Sequence, residues 1–282
     1  MHNKALEDSI YALAAGAFGV FLRWLQLQLA FDENGLCGQS VFNWIVPLFI
    51  LAVAFVLRRR ARDLLDSDYV LPDGFAESLA NPGKAYAFFR WVPGALMMLG
   101  GALMIRSSEV ARHVFMVRLL GALAILSGVC FPLLLTLANR ELKDKRRWLL
   151  CLLSLPPILL FSAWLVFDYM ENAINSVIWG YLIEVLAVSA LLLGFYRLAG
   201  FAYGVVVRKK SLFWLQFGVV MSLIVLADER KTGMQAVFFA AGLMLLLADF
   251  IWLRKLHEKE PEKDAEEEAP APAPASIGFE KL

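Results

Sequence analysis

The chain has 282 residues, 60% of them apolar and only 19% charged, with a formal net charge of +1. A water-soluble domain of this length could not bury so large an apolar share, so the composition excludes a soluble globular protein and points to one embedded in a membrane. The near-zero net charge averages basic loops with an acidic tail and gives no ground for a nucleic-acid partner.

Eight apolar stretches follow in order: Ser9 to Phe31, Phe42 to Leu57, Ala85 to Ile105, Val114 to Ala138, Trp148 to Phe167, Val177 to Phe195, Leu212 to Ala227 and Ala236 to Leu253. Most approach the roughly 20 residues that a helix needs to cross about 30 Å of hydrocarbon. The second and seventh are shorter and are expected to borrow flanking residues. The runs are continuous rather than alternating, which predicts helices and not a barrel. The expected fold is therefore all-α: a polytopic transmembrane bundle of about eight helices over residues 1–256, followed by a cytoplasmic tail over 257–282.

Basic residues set the orientation. With the N terminus inside, 20 of the 27 Lys and Arg fall in inner segments, among them Arg58, Arg59, Arg60, Arg62, Arg140, Lys143, Arg208, Lys209 and Arg254. The outer loops hold four: Arg106, Arg112, Arg230 and Lys231. This positive-inside bias predicts that both termini are cytoplasmic. Glu7 and Asp8 replace the basic start of a signal peptide and Arg23 interrupts the first run, so the first segment is expected to stay as a helix.

The longest internal loop, Leu64 to Gly83, is expected to include a short helix at FAESL. Its DLLDSD run (Asp63, Asp66, Asp68) balances four preceding arginines more plausibly than it holds a metal. The tail, acidic and then alternating Ala with Pro, predicts an extended disordered segment. Three cysteines, with Cys37 alone in an outer loop, provide no disulfide framework.

Two outer hairpins are similar: FDENGLCGQSVFNW from Phe31 and FDYMENAINSVIW from Phe167. With one deletion the match runs on, placing Trp91, Met98, Val114 and Phe115 opposite Trp214, Met221, Val237 and Phe238. This suggests two parallel four-helix repeats, 9–138 and 148–253, with a ligand site expected between them. Pro47, Pro93, Pro132, Pro156 and Pro157 lie in the apolar stretches, where prolines kink helices or are simply tolerated.

Charges at membrane depth each need a partner, a cavity or a function. Arg23 and Glu184 lie at matched depths, about 10–12 Å from the outer ends of their segments, and Arg90 and Asp249 at about 6–8 Å from the inner ends. Each pair is a candidate intramembrane polar site, either as a packing ion pair or as a place for a solute or proton. Gln26 and Gln28 flank Arg23, and at most one can share its face. The acids Asp32, Asp168, Glu171, Asp228 and Glu229 form an outer-face set, either a cation-attracting vestibule or solvated helix ends, with Asp32 and Asp168 as its candidate residues. Trp24, Trp44, Trp91, Trp148 and Trp252 read as interface anchors or packing.

Catalytic signatures do not emerge. His2, His113 and His257 lie outside the apolar runs, and the chain carries no zinc-protease His pair, serine elbow or phosphate loop. No cofactor, metal or enzymatic activity is expected.

Over Phe167 to Gly204, FDYMENAINSVIWGYLIEVLAVSALLLGFYRLAGFAYG, the chain resembles a group of multi-pass membrane proteins of anaerobic Clostridia in which a similar hairpin precedes a similar FYRLAGFA run. The FDENGL of Phe31 to Leu36 is similar to that group too. The resemblance implies a bacterial cytoplasmic membrane and brings no known activity or site residue. Expected partners are the lipid bilayer, a small solute and a second membrane protein. Small-solute binding or transport is favoured by the similar halves, the prolines and the buried charges. The alternative is a non-transporting scaffold or assembly partner that uses the tail.

Overall fold

The computed structural model describes residues 2–30, 42–66, 69–81, 83–139, 147–172 and 178–258. Asp32, Cys37 and the tail from residue 259 onward lie outside the described residues. The long helices are α1 (His2–Ala30), α2 (Phe42–Asp66), α5 (Trp91–Arg106), α6 (Val114–Ala138), α7 (Arg147–Asn172), α8 (Ile178–Tyr203), α9 (Arg208–Ile224) and α10 (Thr232–Leu253). Two short ones, α3 (Phe75–Leu79) and α4 (Lys84–Phe89), precede α5, and β1 (Tyr69–Val70) pairs antiparallel with β2 (His257–Glu258). The expected all-α bundle is what forms, and the helix at FAESL is α3. Residues 257–258 belong to this β pair, not to the tail.

Seven helical spans among the described residues are long and apolar enough to cross a membrane. The remaining long helix, α2, loses its apolar character at Arg58, beyond which its helix continues to Asp66. Large apolar side chains on the outer surface, such as Leu51, Phe55 and Phe115 at 66%, 66% and 75% exposure, mark the face that lipid covers. Within the third stretch the helix breaks at Arg90. Pro93 has no N–H to give the Phe89 carbonyl, so α4 ends there and α5 starts with a proline in its first turn.

Side-chain contacts assign the connections to two ends of the bundle. At one end, Lys231 Nζ donates to the Ser107 carbonyl (3.4 Å), Gln26 Nε2 to the Asn43 carbonyl (3.3 Å), and Arg230 pairs with Glu184. At the opposite end, Arg60 pairs with Asp8 (2.6 Å), Arg208 with Asp73 (2.8 Å), and Trp252 Nε1 donates to the Pro72 carbonyl (2.9 Å). Trp252 is fully buried, so it packs rather than anchors. Thus α2 also runs from end to end, from Asn43 to Arg60, and the start of α1 and the end of α10 share the second end.

Helix α9 is the hub, packed against α1, α2, α8 and α10. Helices α5 and α6 approach closely through small residues. A Cβ on Gly101 would lie 2.5 Å from the Gly121 carbonyl oxygen, and one on Gly94 2.5 Å from that of Gly128. Helices also pair at α1–α2, α7–α8, α5–α6 and α9–α10.

Candidate functional site

The first end of the bundle holds a continuous chain of buried charges. Arg23, on α1, is 1% exposed; its Nε donates to Asp228 Oδ1 and its Nη1 to Gln26 Oε1, both at 2.7 Å. Asp228 also accepts from Arg230 Nη2 (3.4 Å), and Arg230 Nη1 is paired with Glu184. The other oxygen of Glu184 accepts from Trp164 Nε1 (3.1 Å). Three helices, α1, α7 and α8, and the α9–α10 loop therefore meet in a single electrostatic network.

The expected pairing of Arg23 with Glu184 is corrected here: the two are linked only through Asp228 and Arg230. Helix α9 is short, and its 17 residues rise about 26 Å, less than the hydrocarbon thickness. A 3₁₀ turn at Val225–Ala227 ends it, and the following loop sits in the bundle with Asp228 only 6% exposed. Asp228 thus reaches the depth of Arg23 and takes it first. Gln26, three residues along α1, is the glutamine that shares Arg23's surroundings.

Trp164 underlies the site as a buried layer beneath the lining residue Glu184. Its ring is fully buried against Phe161 and Phe238, at centroid distances of 6.3 and 4.8 Å, while its N–H holds Glu184. One helical turn on, Asp168 brings its carboxyl beside Glu184 and Arg230 at 2% exposure. Its Oδ2 has no hydrogen-bond partner among the described residues. Arg23 and Arg230 together supply two positive charges, whereas Asp228, Glu184 and Asp168 supply three carboxyls. Asp168 is the carboxyl of the three that makes no ion pair among the described residues, with Arg230 as its neighbouring cation.

Above this layer lies a cavity of about 450 Å³, lined among others by Asp168, Glu171, Tyr181, Glu184, Glu229 and Arg230. Asp168, Glu171 and Glu229, expected as outer-face acids, therefore face one space. Arg112 and Lys231 line it as well. Asp228 lies in the ion-pair network, and Asp32 falls outside the described residues.

The second expected pair, Arg90 with Asp249, does not form. Asp249 is fully buried, and its Oδ2 lies 3.5 Å from both Ser9 Oγ and Gln216 Nε2, while its Oδ1 has no hydrogen-bond partner among the described residues. Arg90, at the α4–α5 break, keeps an unpartnered Nε. Equal depth fixes height along the bundle axis but not rotation about it, and α10 turns Asp249 toward α1 and α9. Nearby, Arg60 grips Asp8 through Nε and Nη2 and lies 3.7 Å from the centre of the Tyr11 ring, tying α1 to α2. In the DLLDSD run, Asp63 faces Arg59 (3.7 Å) on the exposed helix surface, a charge-balancing contact.

Sequence reasoning missed Arg230 as a site residue and Trp164 as the buried layer beneath it. The adjacent opposite charges of Asp228, Glu229 and Arg230 after an unusually short apolar run were the available signal. The chain matches no protein-family model, no curated protein and no solved structure.

Proposed function

We propose that this integral membrane protein binds a small solute carrying a cationic group in the cavity above Trp164, as a step in moving that solute across a bacterial cytoplasmic membrane. The observation that carries the reading is the buried Asp168 carboxyl, outside the ion pairs of the described residues and with its Oδ2 free, facing a cavity of about 450 Å³. A carboxylate out of water whose neighbouring cation, Arg230, is already shared with Glu184 and Asp228 is costly, and an ammonium group donating to its free Oδ2 would lower that cost. The volume falls within the roughly 300–1,000 Å³ of ordinary small-molecule sites. Both charge signs among the lining residues suit a solute that also carries an acceptor, for Arg112 or Lys231 to meet.

The distribution of Lys and Arg supports an outward position for this end and an inward position for both termini. Resemblance to the clostridial group supports a bacterial cytoplasmic membrane. Helices α1, α7 and α8 and the α9–α10 loop each contribute a charged group, so a solute that rearranged the network would bias their relative positions. Because Asp228 and Arg230 lie on the loop rather than on a rigid span, that loop is the part best placed to yield.

Proteoliposomes containing the full chain, incubated with a defined mixture of small amines and amino acids, test the transport step by mass spectrometry of the lumen. The expected result is enrichment of one amine-bearing class over empty liposomes, lost in Asp168→Asn. A lumen no different from that of empty liposomes overturns transport and favours a scaffold role.

A further inference from the structure

The opposite end of the bundle has a second recess, independent of the solute site. Helices α1 and α5 both pack on α10 but leave a groove of about 500 Å³ between them, closed at its end by α4. Its walls are aliphatic and aromatic, including Ile10, Leu13, Phe89, Leu246 and Phe250, with Ser9 and Tyr86 as the polar exceptions. Ile10, Leu13 and Phe89 are half-exposed on the outer, lipid-facing surface, so the groove opens sideways into the bilayer.

At the end of the groove the chemistry changes. Tyr86 and Phe250 stack with ring centres 6.4 Å apart, and the Arg254 guanidinium lies over them, 5.4 and 5.9 Å from their centres, bonded to the Tyr86 hydroxyl. Arg254 is exposed and pairs with no carboxylate among the described residues. It follows the last turn of α10, at the depth where a helix leaves hydrocarbon for headgroups. An apolar slot ending in an aromatic-held guanidinium with no carboxylate partner among the described residues is complementary to a molecule with a hydrocarbon chain and an anionic head.

We infer that this groove binds an anionic phospholipid, with an acyl chain between α1, α5 and α10 and the phosphate on Arg254. The guanidinium offers two parallel N–H donors to a phosphate, and Tyr86 holds it in place. The aliphatic walls select for a chain and not for a soluble phosphate.

The test uses the full chain in detergent and native mass spectrometry, comparing phosphatidylglycerol with phosphatidylcholine of identical acyl chains. Phosphatidylglycerol should remain bound as a discrete adduct with an apparent affinity at least about fivefold higher, about 1 kcal/mol. Arg254→Gln should erase that preference while leaving chain binding. Ile10→Trp, which fills the groove from its lipid-facing side, should weaken both lipids. Glycerol phosphate, which has no chain, should not bind. Equal binding of the two lipids, or a preference untouched by Arg254→Gln, overturns the inference, as does glycerol phosphate competing away the adduct. Should Arg254→Gln fail to fold, the Ile10→Trp protein decides: undiminished adducts sink the proposal.

Discussion

Replacing Arg23 with methionine should destabilise the folded protein by about 3–5 kcal/mol, because it leaves Asp228 buried without its main partner. Arg23 is 1% exposed, and its 2.7 Å contact with Asp228 joins α1 to the end of α9. Asp228→Asn should be similarly costly. The double change, Arg23→Met with Asp228→Asn, should cost less than the sum of the two, with a coupling of about 0.5–3 kcal/mol. Unfolding in mixed detergent, followed by tryptophan fluorescence, reads all four proteins. The pairing makes a sharper claim with the wrong partner: combining Arg23→Met with Glu184→Gln should show much weaker coupling, because Arg230 rather than Arg23 holds Glu184. Strong Arg23–Glu184 coupling with none to Asp228 would mean that the network is drawn wrongly.

Arg230→Gln should be as damaging, by about 3–5 kcal/mol, and for a different reason. Arg230 is the only cation of the network that touches two of its carboxylates, Glu184 and Asp228, and it lies beside a third, Asp168. Without it three acids share one remaining arginine. Adding Glu184→Gln removes one of those acids and should return part of the stability, although Trp164 then loses a charged acceptor for a neutral one. The sign of the solute effect is also set: a cation should stabilise Arg230→Gln more than it stabilises the wild type. A cation that stabilises this variant less than the wild type would contradict the assignment of the carboxyls as the solute's partners.

The class of fold was open to inspection because membrane burial imposes long apolar runs that no soluble chain tolerates, and the eight runs correspond to the long helices. Even the short helix at FAESL was visible. What could not be read was the angular position of each polar side chain. Arg23 and Glu184 were rightly placed at the same end of the bundle, yet their partners come from a loop whose depth depends on α9 stopping early. Asp249 and Arg90 agree in height and still do not meet. Asp168 was recognisable only as an acid near a helix end; its burial follows from packing against Trp164 and Glu184, which are four residues away on its own helix and sixteen away across a hairpin. The Gly pairs between α5 and α6 were equally quiet, since glycine at seven-residue spacing is unremarkable until two backbones are seen to touch.

The most direct test of the solute site is the thermal stability of the detergent-purified protein against a panel sorted by charge, comparing wild type with Asp168→Asn. A ligand at 100 times its Kd stabilises a folded protein by about 2.7 kcal/mol, well within reach of this measurement. The predicted result is a saturable upward shift with one or more small amine-bearing compounds, no shift with matched anions, and loss of the amine effect in Asp168→Asn. An amine shift that survives in Asp168→Asn, or a shift confined to anions, would contradict the assignment of this carboxyl as the solute's counter-charge.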